Sequence, residues 1–203
     1  MITIIDYGAG NIGSVLNMIK YVGGAAEVAR DAVGVLAAKK ILLPGVGSFD
    51  NAMTRLAAMN LVEPLKQRAK DGIPFLGICL GMQLLAEKSE EGEMVGLGLI
   101  PGRVRRFRFE GEALRLKIPH MGWNRVAPVA PHPLTQGLGP DARFYFVHSY
   151  YFDCEDPEDV LLQSVYGMTF TSGVRRGNVM GVQFHPEKSH RFGMRLIKNF
   201  VEL

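Results

Sequence analysis

The sequence predicts an α/β fold: a doubly wound, mostly parallel sheet with helices on both faces and added antiparallel strands. Three observations carry that expectation. Short apolar runs alternate with amphipathic stretches through the first half of the chain, the pattern of successive βαβ units. A G-x-C-x-G segment, Gly77-Ile78-Cys79-Leu80-Gly81, stands between an apolar run and a helical stretch, where such a sheet turns from strand into helix. The second half is richer in extended runs, and a helical stretch closes the chain.

Residues 2–5 form a short β-branched run that ends in the turn Asp6-Tyr7-Gly8-Ala9-Gly10-Asn11. Ile12, Val15, Leu16 and Ile19 then recur at helical spacing. Residues 26–29 read as a weak second strand, and 40–43 as a buried strand stopped by Pro44-Gly45. Residues 49–59 and 61–70 read as helices, the second closed by Gly72. Residues 73–78 read as a further apolar strand, followed by a helix over 80–88. Beyond them, 104–107, 144–152, 160–165, 170–175 and 179–184 look extended. Arg176-Gly177 makes a plausible hairpin turn between the last two. Residues 109–143 hold five prolines and no steady period, so loops and short strands are expected there. Residues 191–201 read as the closing helix. No repeat, low-complexity tract or linker interrupts the chain, and one domain over 1–203 is expected.

Hydrophobic residues make up 47% and charged residues 21% of the 203, a globular balance. The formal net charge is only +3, and the densest basic run, residues 103–108, reads as the solvated face of a strand rather than a nucleic-acid contact. Two cysteines, Cys79 and Cys154, cannot build a disulfide framework, which fits a reducing cytoplasm. The first residues, MITIID, lack the basic leader of a signal peptide. No apolar stretch reaches the roughly 20 residues of a membrane helix, so no membrane association is expected.

The Gly77–Gly81 segment predicts a nucleophile elbow. A tight turn brings the Cys79 backbone against its neighbours, and glycine on either side removes bulk. The turn lifts the sulfur above the carboxyl end of the strand and sets it at a helix N-terminus, where the dipole favours a thiolate. Cys154 stands among Asp153, Glu155 and Asp156, which oppose a thiolate, and reads as structural.

A cysteine nucleophile needs a base, and the base needs an orienting group. Gly181-Val182-Gln183-Phe184-His185-Pro186-Glu187-Lys188 offers both. His185 falls where the strand ends. Pro186 removes a donor and holds His185 extended, so Glu187, two residues on, projects to the same side. His185 would take the thiol proton and return one to the leaving group, with Glu187 fixing its tautomer. For the oxyanion, one N–H is expected from Leu80 and a second from Pro44-Gly45-Val46-Gly47, through Val46. Gly45 offers that loop two orientations of its peptide plane. The remaining histidines show no zinc-site spacing, and no G-x-G-x-x-G opens a helix after the first strand; no metal and no cofactor are expected.

With PGVGSF (44–49), GICLGMQLL (77–85), YFVHSY (145–150) and GVQFHPEKS (181–189) in this order, the chain resembles the class I, triad-type glutamine amidotransferases over nearly its whole length. With DYGAGN (6–11) and PHMGWN (119–124), it is most similar to the glutaminase subunits of imidazole glycerol phosphate synthases. PGVG stands where other members usually carry PGG. Ser48 stands where alanine is common and His190 where glutamine is frequent; neither touches the triad. The resemblance implies that Cys79, His185 and Glu187 hydrolyse glutamine, and that Gln83 holds the substrate. It implies that Ser149 and Tyr150 receive the α-amino and carboxylate end through their backbone, with His148 a structural neighbour. It also implies that Asn11, Trp123, Asn124 and Lys188 face a (β/α)₈-barrel cyclase subunit, the heterodimer partner that consumes the ammonia.

Three rival readings exist. A glutaminase serving anthranilate or pyridoxal phosphate synthase is disfavoured by PGVG and PHMGWN. A catalytically silent interaction module is disfavoured by the complete triad, and a cysteine hydrolase or peptidase of the same α/β type by Gln83 and PGVG.

Overall fold

The computed structural model describes residues 1–203. Five parallel strands form the centre of the sheet, in the order β2 (Ala26–Ala29), β1 (Ile2–Ile5), β3 (Ile41–Gly45), β4 (Phe75–Cys79) and β13 (Val179–Val182). The sheet then continues antiparallel through β12 (Met168–Arg176), β10 (Tyr150–Cys154) and β6 (Gly102–Arg106). Short β5 (Lys88–Ser89) runs parallel to β6 at the edge. A branch of β11 (Val160–Tyr166) and β8 (Ala127–Pro128) pairs onto β12. A separate ribbon joins β7 (His120–Arg125) to β9 (Arg143–His148).

Alternate residues of the parallel strands bury on opposite faces, as the period of a strand requires. Ile5, Ile41, Leu43 and Phe75 pack on one side with Phe49, Leu56 and Leu65 of α3 (Phe49–Ala58) and α4 (Val62–Lys70). Ile2, Ile4, Leu42, Leu76 and Ile78 pack on the other with Val15, Ile19, Leu196 and Phe200 of α1 (Ile12–Tyr21) and α6 (His190–Glu202). Strands buried on both faces read as continuous apolar runs, which is how β3 and β4 stand out in the sequence. Asn11 caps α1 by accepting from the Ser14 N–H at 3.2 Å, and Asp31 caps the short α2 (Ala32–Ala37) through the Gly34 N–H at 2.8 Å. Hairpin β12–β13 turns at Gly177, which has φ +56°. The basic run lies along and just beyond β6, with Arg105 paired to Asp153 at 2.9 Å and Arg108 to Glu90 at 3.0 Å.

Residues 109–143 hold short strands and 3₁₀ turns, as expected, the longest strand being the six-residue β7. Two expectations need correction. The extended run 144–152 is two strands that change sheet at Ser149. The helix after the elbow, α5 (Leu80–Gln83), is a single turn rather than nine residues long. Its continuation is captured from outside: the carbonyls of Leu84, Leu85, Ala86 and Glu87 accept from the backbone of residues 96–100. Tertiary hydrogen bonds thereby replace the helical ladder. No helix is long and apolar enough to cross a membrane.

Candidate active site

Cys79 is the last residue of β4 and adopts φ +56°, ψ −113°. That conformation is strained for a residue with a side chain. It persists because the surroundings fix it. A Cβ at Gly77 would meet the Gly81 carbonyl at 2.5 Å, and one at Gly81 would collide with the Leu43 carbonyl oxygen. The glycines on either side of the elbow therefore permit close approach. A one-turn α5 contributes little dipole.

The first neighbour is His185. It follows β13 and forms a bridge with Tyr145 of β9, its N–H donating to the Tyr145 carbonyl at 2.9 Å. The buried Ser189 hydroxyl donates to the His185 carbonyl at 2.6 Å and accepts from the Tyr145 N–H at 3.0 Å. Residues Pro186–Lys188 form a 3₁₀ turn with proline at its start, so His185 and Glu187 meet across a turn and not along an extended chain. His185 Nδ1–H donates to Glu187 Oε1 at 2.8 Å, and both side chains are nearly inaccessible. Burial pushes the imidazole down, but Cys79 and Glu187 outweigh it through hydrogen bonding and charge, and His185 is pushed up to about 10. Cys79 is the strongest raising influence, yet Nε2 forms no aligned hydrogen bond within the chain. Nε2 is thus free to engage the sulfur or a substrate in the cleft that both residues line.

These groups open on a cleft of about 340 Å³. Val46, Gly47, Leu80, Gln83, Ser149 and Tyr150 line it together with Cys79 and His185. Gly45 lies beside Cys79 in the β3–β4 register, and a Cβ there would come within 2.6 Å of the Tyr7 hydroxyl and 2.8 Å of the Gly81 nitrogen. Glycine at 45 therefore serves packing. The backbone freedom of the loop sits at Gly47, with φ +107° and open space around it. Val46 is exposed, and no acceptor in the chain takes its N–H.

The Gln83 amide nitrogen donates to the Tyr150 carbonyl at 3.2 Å and to Gln183 Oε1 at 3.0 Å. Two residues without an assigned role also belong here. Glu91 lines the cleft and accepts from the Phe49 N–H at 2.8 Å; burial is the main cause that pushes its carboxyl up. Nothing periodic in the sequence around Glu91 reveals it. Gln183, fully buried, brings its Nε2 to 3.9 Å from the Cys79 sulfur; a polar residue in the otherwise apolar run 179–184 is the available signal.

Asn11, Trp123 and Lys188 are exposed. Trp123 stacks on His190 at 5.4 Å with an interplanar angle of 2°, and Lys188 Nζ lies 5.7 Å over the Tyr145 ring. Asn124 differs from these three. Its side chain is committed inside the chain, to the Val165 carbonyl at 2.8 Å, to His120 at 3.2 Å and to the Arg125 N–H at 2.8 Å. Burial first, then the charges of Asp159 and Asp153, push the Cys154 thiol up to about 12, in keeping with a structural residue.

Among known proteins, the family model of class-I glutamine amidotransferases matches residues 3–203. The chain is 51% identical to the imidazole glycerol phosphate synthase subunit HisH 2 of Pseudomonas aeruginosa, with all of both chains covered. It is 48% identical to the HisH 2 subunit of Methanococcus maripaludis, over all of this chain and 99% of that one. In three dimensions it is similar to a solved glutamine amidotransferase with a TM-score of 0.77 at 20% identity, covering 99% of this chain and 97% of the other. PurLQS from Thermotoga maritima gives 0.72 at 17% identity, covering 99% and 97%. With the elbow cysteine, the histidine–glutamate turn and a match running from end to end, the chain belongs to the class-I glutamine amidotransferases.

Proposed function

We propose that this chain is the glutaminase subunit of an imidazole glycerol phosphate synthase, acting in histidine biosynthesis. The observation that carries the reading is the placing of Cys79 and His185 on one cleft, with Glu187 hydrogen-bonded behind the imidazole, in a chain related over its full length to subunits of that enzyme.

The chemistry follows from the arrangement. With its proton held by His185, the Cys79 sulfur attacks the side-chain carbonyl carbon of glutamine. The oxyanion takes the N–H groups of Leu80 and Val46. The C–N bond breaks, His185 donates its proton to the nitrogen, and ammonia leaves. Water, deprotonated by His185, attacks the thioester carbonyl; glutamate leaves and the thiol is restored. Glu187 holds the imidazole in the required tautomer throughout. At the far end of the substrate, backbone groups of Ser149 and Tyr150 receive the α-carboxylate and amino group, and Glu91 supplies the counter-charge for the ammonium. Its raised carboxyl gains most from a cation brought alongside it.

The ammonia goes to a (β/α)₈-barrel cyclase subunit, the heterodimer partner. Exposed Asn11, Trp123 and Lys188 face that partner; Trp123, half-exposed at 48%, is the natural anchor. The chain works as a single domain in the cytoplasm. The test is co-purification with a barrel cyclase, followed by glutamate release with and without the cyclase's nucleotide ligand. Absence of glutamate release under every condition would sink the reading.

A further inference from the structure

Two buried histidines, neither used in the chemistry above, run from Asn124 to the cleft, which His148 lines. His148 Nδ1 is 2.7 Å from the Tyr150 carbonyl oxygen, and its Nε2 is 2.9 Å from His120 Nδ1. His120 Nε2 is in turn 3.2 Å from the Asn124 side-chain nitrogen, which also donates to the Val165 carbonyl at 2.8 Å. These contacts allow one assignment of protons. A carbonyl only accepts, so His148 carries its proton on Nδ1 and its Nε2 accepts. His120 must then donate from Nδ1, and its Nε2 accepts from the Asn124 amide. Every donor meets an acceptor with both imidazoles neutral. Burial agrees with that state, pushing His120 down to about 4 and His148 down to about 3.

The relay ends on a carbonyl that a second cleft residue shares. Gln83 Nε2 donates to the same Tyr150 oxygen at 3.2 Å and to Gln183 Oε1 at 3.0 Å. With His148 on one lone pair and Gln83 on the other, the Tyr150 carbonyl is saturated. Flipping the Gln83 amide would set its oxygen against two acceptors, Tyr150 O and Gln183 Oε1. The amide is therefore locked, and its own oxygen is left for the cleft that Gln83 lines.

We infer that His120 and His148 are positioning residues for substrate selectivity: their relay from Asn124 fixes the Tyr150 carbonyl, which holds Gln83 with a hydrogen-bond acceptor toward the ligand. That acceptor suits the N–H₂ of a carboxamide, and it repels the carboxylate of glutamate, which has no hydrogen to give. A site built to receive an N–H discriminates against analogues that lack one. The inference rests on the glutaminase reading and adds the source of its preference for substrate over product.

The test replaces His120 with phenylalanine. Its ring already stacks on Tyr166 and Phe146, with centroids 4.1 and 4.8 Å apart, so an aromatic hydrocarbon fits while the relay is cut. In the complex with a barrel cyclase, His120→Phe is expected to raise KM for glutamine about tenfold, the value of one well-placed hydrogen bond. The kcat is expected to stay within about twofold, and the ratio of the glutamate inhibition constant to the glutamine KM to fall about tenfold. An unchanged KM and ratio, or a loss confined to kcat, would overturn the inference. If His120→Phe does not fold, His148→Gln and His148→Phe carry the test. The glutamine side chain can donate to Tyr150 and accept from His120, so its KM should stay near that of the wild type while His148→Phe rises. Equal KM values for the two overturn the relay. A wild-type complex that releases no glutamate counts against the glutaminase reading itself; an active wild type with an unaltered His120→Phe counts against the relay alone.

Discussion

His185 and Glu187 are separated by one proline, and the 3₁₀ turn beginning at that proline brings Nδ1 of the imidazole to 2.8 Å from a carboxylate oxygen. The pair is buried, and the turn is pinned from behind by Ser189 and Tyr145. In the proposed mechanism Glu187 holds the base and takes no part in bond making. Glu187→Gln should therefore reduce glutamine hydrolysis by about one to two orders of magnitude less than His185→Ala or Cys79→Ala, which remove bond-making groups. Steady-state kcat/KM at matched folding checks the order.

The same pair sets a stability window. His185 is raised from an ordinary value of 6.5 to about 10. A base whose folded value is raised contributes stability that is complete below its unfolded value and lost as pH climbs through the folded one. Between pH 6.5 and 10 the wild type should progressively lose stability, of which Glu187→Gln lacks from the start the share that Glu187 contributes beside Cys79. Chemical denaturation midpoints of the two proteins should converge as pH rises; a constant gap would mean that His185 is neutral in the fold.

Cys79→Ala should abolish glutamine-dependent synthesis, while synthesis from added ammonium salts survives in the complex, because the sulfur only liberates ammonia. Cys154→Ala should leave both reactions nearly intact: that thiol is raised to about 12 and lies among carboxylates. A folded, complexed Cys79→Ala that cannot use ammonium would refute the division of labour.

Much of this is legible in the sequence. β3 and β4 are buried along their whole length, and strands of that kind leave an uninterrupted apolar run. The elbow was legible because only glycine fits at 77 and 81. β7 was not, because of its six residues only His120 is buried, which leaves no apolar alternation to see. The short α5 was equally hidden: Leu84–Glu87 have helical composition, and the loop at 96–100 that takes their carbonyls lies in no local pattern. Glu91 enters the cleft by that same tertiary route, and α2 is too short to display a period.

Lys40 is a long-range fastener. Its ammonium donates to the carbonyls of Phe200 and Val201 at 2.8 Å each, satisfying the C-terminal end of α6. That helix packs against the His185 turn, where a Cβ at Gly193 would collide with the Pro186 carbonyl oxygen. Lys40→Met should cost about 1 kcal/mol and lower Tm by about 2–4 °C, as read by calorimetry. A shift below one degree would show that water serves those carbonyls equally well.

Val46 is exposed at 48%, its N–H has no acceptor in the chain, and it precedes Gly47 at φ +107°. An N–H that no partner fixes is a poor oxyanion donor, and losing one such donor costs on the order of 10²–10³ in rate. The free chain should hydrolyse glutamine slowly, the complex faster, and the complex with the cyclase's nucleotide fastest. Equal glutamate release in all three would leave Pro44–Gly47 as a static strand. Gly45→Ala is not a clean probe of this switch, because its Cβ would press on Tyr7, Leu80 and Gly81 and damage basal and stimulated turnover alike. Gly47→Ala is the better one. The space around it is open, so the substitution only penalises the left-handed conformation, by about 1–3 kcal/mol. If the loop needs that conformation in one state and not the other, the ratio of stimulated to basal rate should change by about tenfold or more while the fold is kept. A ratio equal to that of the wild type would show that Gly47 holds one conformation in both states.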